Sequence, residues 1–165
     1  MMLYSRAMAK HEINIYIKPN LRDSVKETWV KNTVNKILGT LTIATLSELG
    51  VVITNDKAIQ RLNKAYRNKD APTDVLAFYM LPRQAKKTEF IAPPDGVAHF
   101  GEIVISYPQA VVQAENEGHD IKHEILVLLI HGLLHLMGYN HEQSRKEEQR
   151  MRAKEKETLD KLMSI

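Results

Sequence analysis

The chain has 165 residues, 44% of them hydrophobic and 26% charged, which is typical of one water-soluble domain with a single core. It has no cysteine, and therefore neither disulfides nor thiolate metal ligands, and its net charge is +3. No apolar run is long enough for a secretory signal or a membrane span. We therefore expect a protein of the cytoplasm, or of an organelle after processing, with no membrane partner.

Strand and helix patterns follow one another along the chain. Polar and apolar residues alternate at 11–18, as in a half-buried strand, whereas apolar residues recur at helical spacing at 23–38. Trp29 belongs to the second pattern and is expected to anchor the core rather than to act as a stacking platform. In chain order the predicted elements are a strand at 11–18, a helix at 23–38 ended by Gly39, a strand at 41–54, a helix at 55–66, strands at 75–80 and 102–106, and helices at 108–117, 121–137 and 142–164.

This order predicts an α+β, or mixed α/β, fold. A single domain over residues 1–165 would pack about five helices on a mixed sheet of about four strands. Helix 121–137 is apolar nearly all round and is expected to be the buried, central helix. In the last helix the expected apolar anchors are Leu159, Leu162 and Met163.

Two segments lack these patterns. Residues 1–10 are expected to be loosely ordered. Residues 81–99 contain three prolines and predict a long surface loop, which in a compact domain is usually functional or mobile.

Three histidines near the end of helix 121–137 predict a metal site. His131 and His135 are one helical turn apart, so their side chains share a face. Gly138 can adopt a positive φ and end the helix, which allows the chain to bring His141 back towards the other two. Three neutral imidazoles with no fourth protein ligand form a catalytic zinc-type site that keeps one position open. We therefore expect one divalent metal ion per chain at the end of the central helix, with Zn²⁺ as the first candidate and Ni²⁺, Co²⁺, Cu²⁺ or Mn²⁺ as alternatives.

The spacing of these histidines equals that of the HExxHxxGxxH zinc peptidases. Those enzymes place a general-base glutamate directly after the first histidine, where this chain has Gly132. Glu124 lies two turns before His131 on the same helical face. It could orient a ligand histidine, act as a base through water, or favour the start of the helix through the helix dipole.

Basic residues are concentrated in the middle of the chain. Eight basic and two acidic residues lie between Lys57 and Thr88, an excess larger than the net charge of the whole chain. Such a stripe suits a phosphate-rich partner. The same charges fit a solvated helix face followed by a basic loop equally well.

The histidine segment 131–141, HGLLHLMGYNH, resembles the signature H-G-x-L-H-L-x-G-Y-D-H of the YbeY family of bacterial and organellar endoribonucleases. Residues 62–67 (LNKAYR) and 72–76 (PTDVL) are similar to a second segment of that family. Residues 101–106 (GEIVIS) are similar to its GDIVIS strand. Together the three similarities span about residues 51–141 in the family's order.

This resemblance implies a metal-dependent, single-strand-specific endoribonuclease. It implies action in rRNA maturation, notably at the 3′ end of small-subunit rRNA, and in ribosome quality control, with single-stranded RNA, rRNA and the small ribosomal subunit as partners. By position, His131, His135 and His141 would be metal ligands and Arg67 the functional arginine. An arginine beside a metal can clamp a phosphate with two hydrogen bonds. The candidates for RNA contact are Lys57, Arg61, Lys64, Lys69, Arg83, Lys86 and Lys87.

The chain departs from the family pattern at three positions. Asn140 replaces the usual Asp before the last histidine, and it cannot act as an acid or base. Ala77 replaces a Ser, and Glu102 replaces an Asp.

Two other functions stay open at this stage. One is a metallopeptidase or another metal-dependent hydrolase. The other is a non-catalytic, RNA-binding ribosome-assembly protein with a structural metal, although structural zinc sites usually have four protein ligands.

Overall fold

A four-stranded sheet organises the residues that the computed structural model describes, namely 11–43, 45–80 and 97–164. Its strands are β1 (Glu12–Ile17), β2 (Ser47–Thr54), β3 (Val75–Tyr79) and β4 (Ala98–Ser106). Their order across the sheet is β1-β2-β4-β3. Neighbours among β1, β2 and β4 are parallel, whereas β3 runs antiparallel to β4 along one edge. The sheet is therefore mixed, as predicted.

Five α-helices accompany this sheet in the described residues, which confirms the predicted α+β fold. They are α1 (Glu27–Thr40), α2 (Asp56–Arg67), α3 (Tyr107–Glu117), α4 (Ile121–Leu136) and α5 (Arg145–Met163). Within the described ranges, every helix is too short or too polar to cross a membrane.

The two faces of the sheet are covered unequally. Alternate residues of β4 point to opposite faces, so Ile103 and Ile105 face one side and Val104 the other. The first side carries the main core, to which α1, α3, α4 and α5 all contribute. The second side carries a small cluster in which Ile59 of α2 packs on Leu76 and Val104. Helix α2 therefore lies across the sheet from α4.

Helix α4 is the central helix, as its composition predicted. Nine of its residues are buried, among them Leu129, Leu133 and Leu134. Full burial of one such side chain stabilises a fold by about 1.5–3 kcal/mol relative to exposure. The position of α4 is therefore fixed over most of its length.

Gly132 marks the point where α4 touches the sheet. A Cβ atom at this position would lie 2.8 Å from Cγ2 of Ile103, a side chain that is itself buried. Glycine inside a helix costs about 0.5–1 kcal/mol relative to alanine, so it needs a compensating reason. The close approach of α4 to β4 supplies that reason.

Strand β4 begins at Ala98, earlier than the predicted start at 102, and overlaps the end of the predicted loop. Between Glu48 and Leu49 the register with β4 shifts, and Leu49 pairs with Gly101. Such a bulge breaks the two-residue alternation on which strand prediction depends. Gly101 has φ +119°, and a Cβ atom there would clash with the Phe78 carbonyl oxygen at 1.9 Å.

Helix α1 also differs from its prediction, since it begins at Glu27 and continues through Gly39 to Thr40. Trp29 packs against the main core, as predicted. Residues 1–10 and 81–96, with the predictions made for them, lie outside the described residues.

The contacts of α5 were predicted only in part. Leu159 and Leu162 pack against the core, but Met163 is 62% exposed. The fully buried residues of this helix are Met151 and Thr158. The Thr158 hydroxyl donates to the Lys154 carbonyl at 2.7 Å, and this bond allows a polar residue to occupy the buried face.

Replacement of Gly132 by alanine tests the contact between α4 and β4. Gly39→Ala is the matched control, because a Cβ atom at position 39 of α1 meets nothing within 4 Å. Both replacements remove the flexibility of a helical glycine, but Gly132→Ala also overpacks the core. We expect Gly132→Ala to be about 1–3 kcal/mol less stable than Gly39→Ala in urea unfolding. Equal free energies of unfolding would mean that close packing does not limit position 132.

Candidate metal centre

The end of α4 is shaped by a Schellman motif. The Tyr139 amide donates to the Leu134 carbonyl at 3.1 Å, and the Gly138 amide donates to the His135 carbonyl at 3.0 Å. Gly138 has φ +101°, the conformation that this motif requires and that glycine adopts without strain. The chain therefore reverses directly after the second histidine, as its glycine predicted.

The reversal brings the three histidines together. Nε2 of His131 lies 3.1 Å from Nε2 of His135. The ring centroid of His141 lies 5.4 Å from that of His131 and 4.9 Å from that of His135. Each ring offers one nitrogen within 4.8 Å of the others, and all three residues are half-buried. Within the described residues, they form the one group of His, Asp or Glu side chains with this spacing.

The donor set fits a divalent metal ion. Nitrogen ligands about 2.0–2.1 Å from a tetrahedral Zn²⁺ lie about 3.3 Å apart, close to the separation of the two Nε2 atoms. Nδ1 of His141 is buried without a hydrogen-bond partner, which is costly for a polar atom in a protein interior. Three imidazoles, with no thiolate or fourth side chain in the cluster, suit a borderline metal with an open coordination position.

Electrostatics keep His135 in the form that binds metal. Burial, followed by the charges of His131, His141 and Arg67, lowers the pKa of His135 to about 4, although a hydrogen bond with the Tyr139 backbone opposes the shift. The ring is therefore neutral near pH 7. A neutral imidazole offers a lone pair to a cation without first losing a proton.

Arg67 is carried by α2 on the other side of the sheet, and its charge acts on the cluster. It is the last residue of α2 and is exposed, and its charge contributes to the lowered pKa of His135. Asn68 follows it in the left-handed conformation, with φ 58°, and ends the helix there. The charge of Arg67 therefore acts on His135, and the functional role of this arginine stays a prediction.

A carboxylate on α5 holds one of the histidines. Nδ1 of His131 donates to Oε1 of Glu155 at 2.5 Å, and Nε2 of the same ring faces His135. Glu155 was not predicted from the sequence. The available signal was its spacing, because it shares a helical face with the buried residues Met151 and Thr158 in a helix that is otherwise highly charged.

Glu124 has a different partner. It is buried near the start of α4, and its carboxylate accepts a hydrogen bond from Nε2 of His119. At His131, the orienting role expected of Glu124 is filled by Glu155. A role for Glu124 as a base through water stays a prediction.

Comparison with known proteins identifies the family. The profile of the family described as Endoribonuclease YbeY matches residues 13–163. The chain belongs to the YbeY family. A YbeY endoribonuclease of Dehalococcoides mccartyi strain CBDB1 is 44% identical over 140 residues, which cover 82% of this chain and 84% of that protein. A YbeY endoribonuclease of a Roseiflexus species, strain RS-1, is 38% identical over 151 residues, 92% of each chain.

One solved structure supports the same fold. The solution structure of a protein from Thermotoga maritima aligns with a TM-score of 0.53 and 24% sequence identity, and the alignment covers 92% of each chain. The YbeY signature of this chain therefore lies on a fold that has been observed experimentally.

Asn140 is a departure from the YbeY signature that the structure explains. Its side-chain oxygen accepts a hydrogen bond from the Glu142 amide at 3.0 Å, which forms an Asx turn around His141. An aspartate would accept the same bond. The residue therefore keeps its part in shaping the turn, although it cannot act as an acid or base.

The basic residues divide into two groups. Lys57, Arg61, Lys64 and Lys69 are exposed. The first three recur at helical spacing along one side of α2, and Nζ of Lys64 lies 3.5 Å from Oδ2 of Asp70. The remaining candidates, which lie outside the described residues, are Arg83, Lys86 and Lys87.

Replacement of Glu155 by alanine tests its link to the metal site. Loss of a carboxylate that orients a metal-binding histidine typically lowers metal affinity by about 10–100-fold. Glu157→Ala is the matched control, because Glu157 lies on the same helix and binds Lys161 at 2.9 Å instead of a histidine. We expect Glu155→Ala, but not Glu157→Ala, to bind Zn²⁺ at least about tenfold more weakly in chelator competition. Equal affinities of the two variants would contradict this role.

Proposed function

We propose that the protein is a metal-dependent endoribonuclease that cleaves single-stranded RNA. The observation that carries this proposal is the three-histidine cluster with the charge of Arg67 acting on it, in a chain of the YbeY family. His131, His135 and His141 would hold one divalent ion, for which Zn²⁺ is the best match. When bound, such an ion supplies Lewis acidity towards a phosphate oxygen or a water molecule.

Arg67 is proposed to hold the phosphate that is cleaved. Its planar guanidinium can donate two parallel hydrogen bonds to phosphate oxygens. Arg67 ends α2 and its charge acts on His135, which supports a phosphate site near the histidine cluster. The positive charge of Arg67 would offset negative charge that develops on the phosphorus oxygens during cleavage.

Glu155 is proposed to position His131. By accepting a hydrogen bond from the Nδ1–H group it fixes the tautomer and the ring orientation, so that Nε2 remains directed at the cluster. Its carboxylate also brings a negative charge to a site that is otherwise positive.

The partners proposed for the protein follow from its family. We propose that its substrates are single-stranded segments of ribosomal RNA, including the 3′ end of small-subunit rRNA, and that it acts on the small ribosomal subunit and in ribosome quality control in the cytoplasm. The basic residues predicted for RNA contact would guide the RNA backbone. Such contacts would make binding sensitive to salt.

Two observations disfavour the alternatives. A peptidase of this spacing needs a glutamate at position 132, where Ile103 leaves no room even for a Cβ atom. A structural metal site usually has four protein ligands, whereas the cluster formed by the described residues has three.

Replacement of the metal-binding histidines and replacement of Arg67 should have different effects on metal binding and RNA cleavage. His131→Ala and His135→Ala should abolish both zinc binding and RNA cleavage. Arg67→Ala should retain the metal but lower kcat/KM for single-stranded RNA by about 100-fold or more, because it removes transition-state stabilisation. Arg152→Ala, which removes an exposed arginine paired with Glu148 on α5, is the matched control and should retain both. Cleavage that persists in both histidine variants would come from a contaminating nuclease and would refute the proposal.

The salt dependence of RNA binding tests the basic residues along one side of α2, namely Lys57, Arg61 and Lys64. For single-stranded RNA, each lost phosphate contact should reduce the slope of log affinity against log salt by about 0.7. Lys57→Gln combined with Arg61→Gln should therefore reduce the slope by about 1.4. The control replaces Lys31 and Lys36, two exposed lysines of α1, and should leave the slope unchanged. An unchanged slope in the α2 variant would mean that Lys57 and Arg61 do not contact the RNA backbone.

A further inference from the structure

Tyr66 is the last residue on the apolar side of α2, and its side chain is unusually exposed. Ile59, Leu62 and Tyr66 recur at helical spacing on the side that faces the sheet. Ile59 is fully buried, but Tyr66 is 71% exposed, the largest fraction among the exposed large hydrophobic side chains of the described residues. The apolar side of the helix thus extends past the covered part of the sheet.

The ring of Tyr66 is held in place although it is exposed. It contacts Phe78 of β3 edge-to-face, with 5.2 Å between ring centroids and 67° between ring planes. Such aromatic contacts stabilise by about 0.5–1.5 kcal/mol beyond area burial. Because the Tyr66 ring packs against Phe78 on one side only, much of its surface remains open to a ligand.

Tyr66 and Arg67 are presented together. Their Cα atoms are about 3.8 Å apart, as in any trans peptide. The turn that follows is fixed, because the left-handed Asn68 ends the helix and the Asn63 side chain donates to the Ala71 carbonyl at 2.9 Å. The exposed ring is therefore carried by the residue directly before the proposed phosphate-binding Arg67, at a helix end whose backbone is fixed.

We propose that Tyr66 is a stacking platform for an unpaired base next to the phosphate held by Arg67. This inference rests on the proposed function. Every base has an aromatic face, so stacking tolerates all sequences, and charge complementarity comes from the adjacent Arg67 and the exposed Lys69. A base inside a duplex is already stacked on both sides. Tyr66 would therefore contribute to selectivity for single strands.

Two replacements separate stacking from simple packing. Tyr66→Phe keeps the ring, whereas Tyr66→Leu keeps an apolar side chain over Phe78 but removes the ring. Tyr16→Leu is the matched control, because Tyr16 is 53% exposed on β1, at the opposite edge of the sheet. Each zinc-loaded, full-length variant is titrated on ice with a single-stranded RNA oligonucleotide that carries 2-aminopurine, and gels of the same samples report any cleavage.

We expect Tyr66→Leu to raise the Kd by about tenfold and to lose the quenching of 2-aminopurine. Tyr66→Phe and Tyr16→Leu should stay within about twofold of the wild type. A Kd unchanged in Tyr66→Leu, or raised equally in Tyr16→Leu, would overturn the inference. Should Tyr66→Leu fail to fold, Tyr66→Trp decides, because a larger ring should bind at least as tightly as tyrosine and weaker binding by a folded variant would refute stacking.

The same samples, warmed after the titration so that cleavage can proceed, separate this inference from the proposed function. If the wild type binds RNA through Tyr66 but does not cleave it, the endoribonuclease proposal fails and the stacking site stands. If the wild type cleaves single-stranded RNA and Tyr66→Leu binds it normally, the stacking site alone fails.

Discussion

The contact between α4 and β4 at Gly132 is the constraint on which the site depends. With no room for a Cβ atom above Ile103, the helix turns its Gly132 side towards β4. At 3.6 residues per turn, His131 and His135 then lie on one flank of the helix, turned by about 60–100° from the direction of the sheet. This flank faces α5, which carries Glu155, and the charge of Arg67 at the end of α2 acts on it.

The groups around the cluster have complementary tasks. Burial and neighbouring positive charges keep the His135 ring neutral and therefore able to bind a cation. Glu155 supplies the one carboxylate that contacts a cluster histidine within the described part of the chain, and it does so on the side of the ring away from the other histidines. The arrangement suits the proposed divalent cation at the centre and the proposed phosphate at Arg67.

The parts of this site that follow from local spacing could be predicted from the sequence. The one-turn separation of His131 and His135, and the positive φ of Gly138, depend on the chain within a few residues. Glu155 could not be assigned in this way, because its contact with His131 depends on how α5 packs against α4. The start of β4 was missed because a bulge opposite Glu48 interrupts the alternation of side chains.

The Schellman turn at Gly138 has a consequence for how the protein forms its site. All three histidines lie within one helix end and the turn after it, so they can meet without closing a long loop, which is the slow and entropically costly part of folding. Arg67 and Glu155 arrive from distant parts of the chain and need the finished sheet. The three rings can therefore approach one another early in folding, whereas the Glu155 contact and the effect of the Arg67 charge arise only in the finished fold.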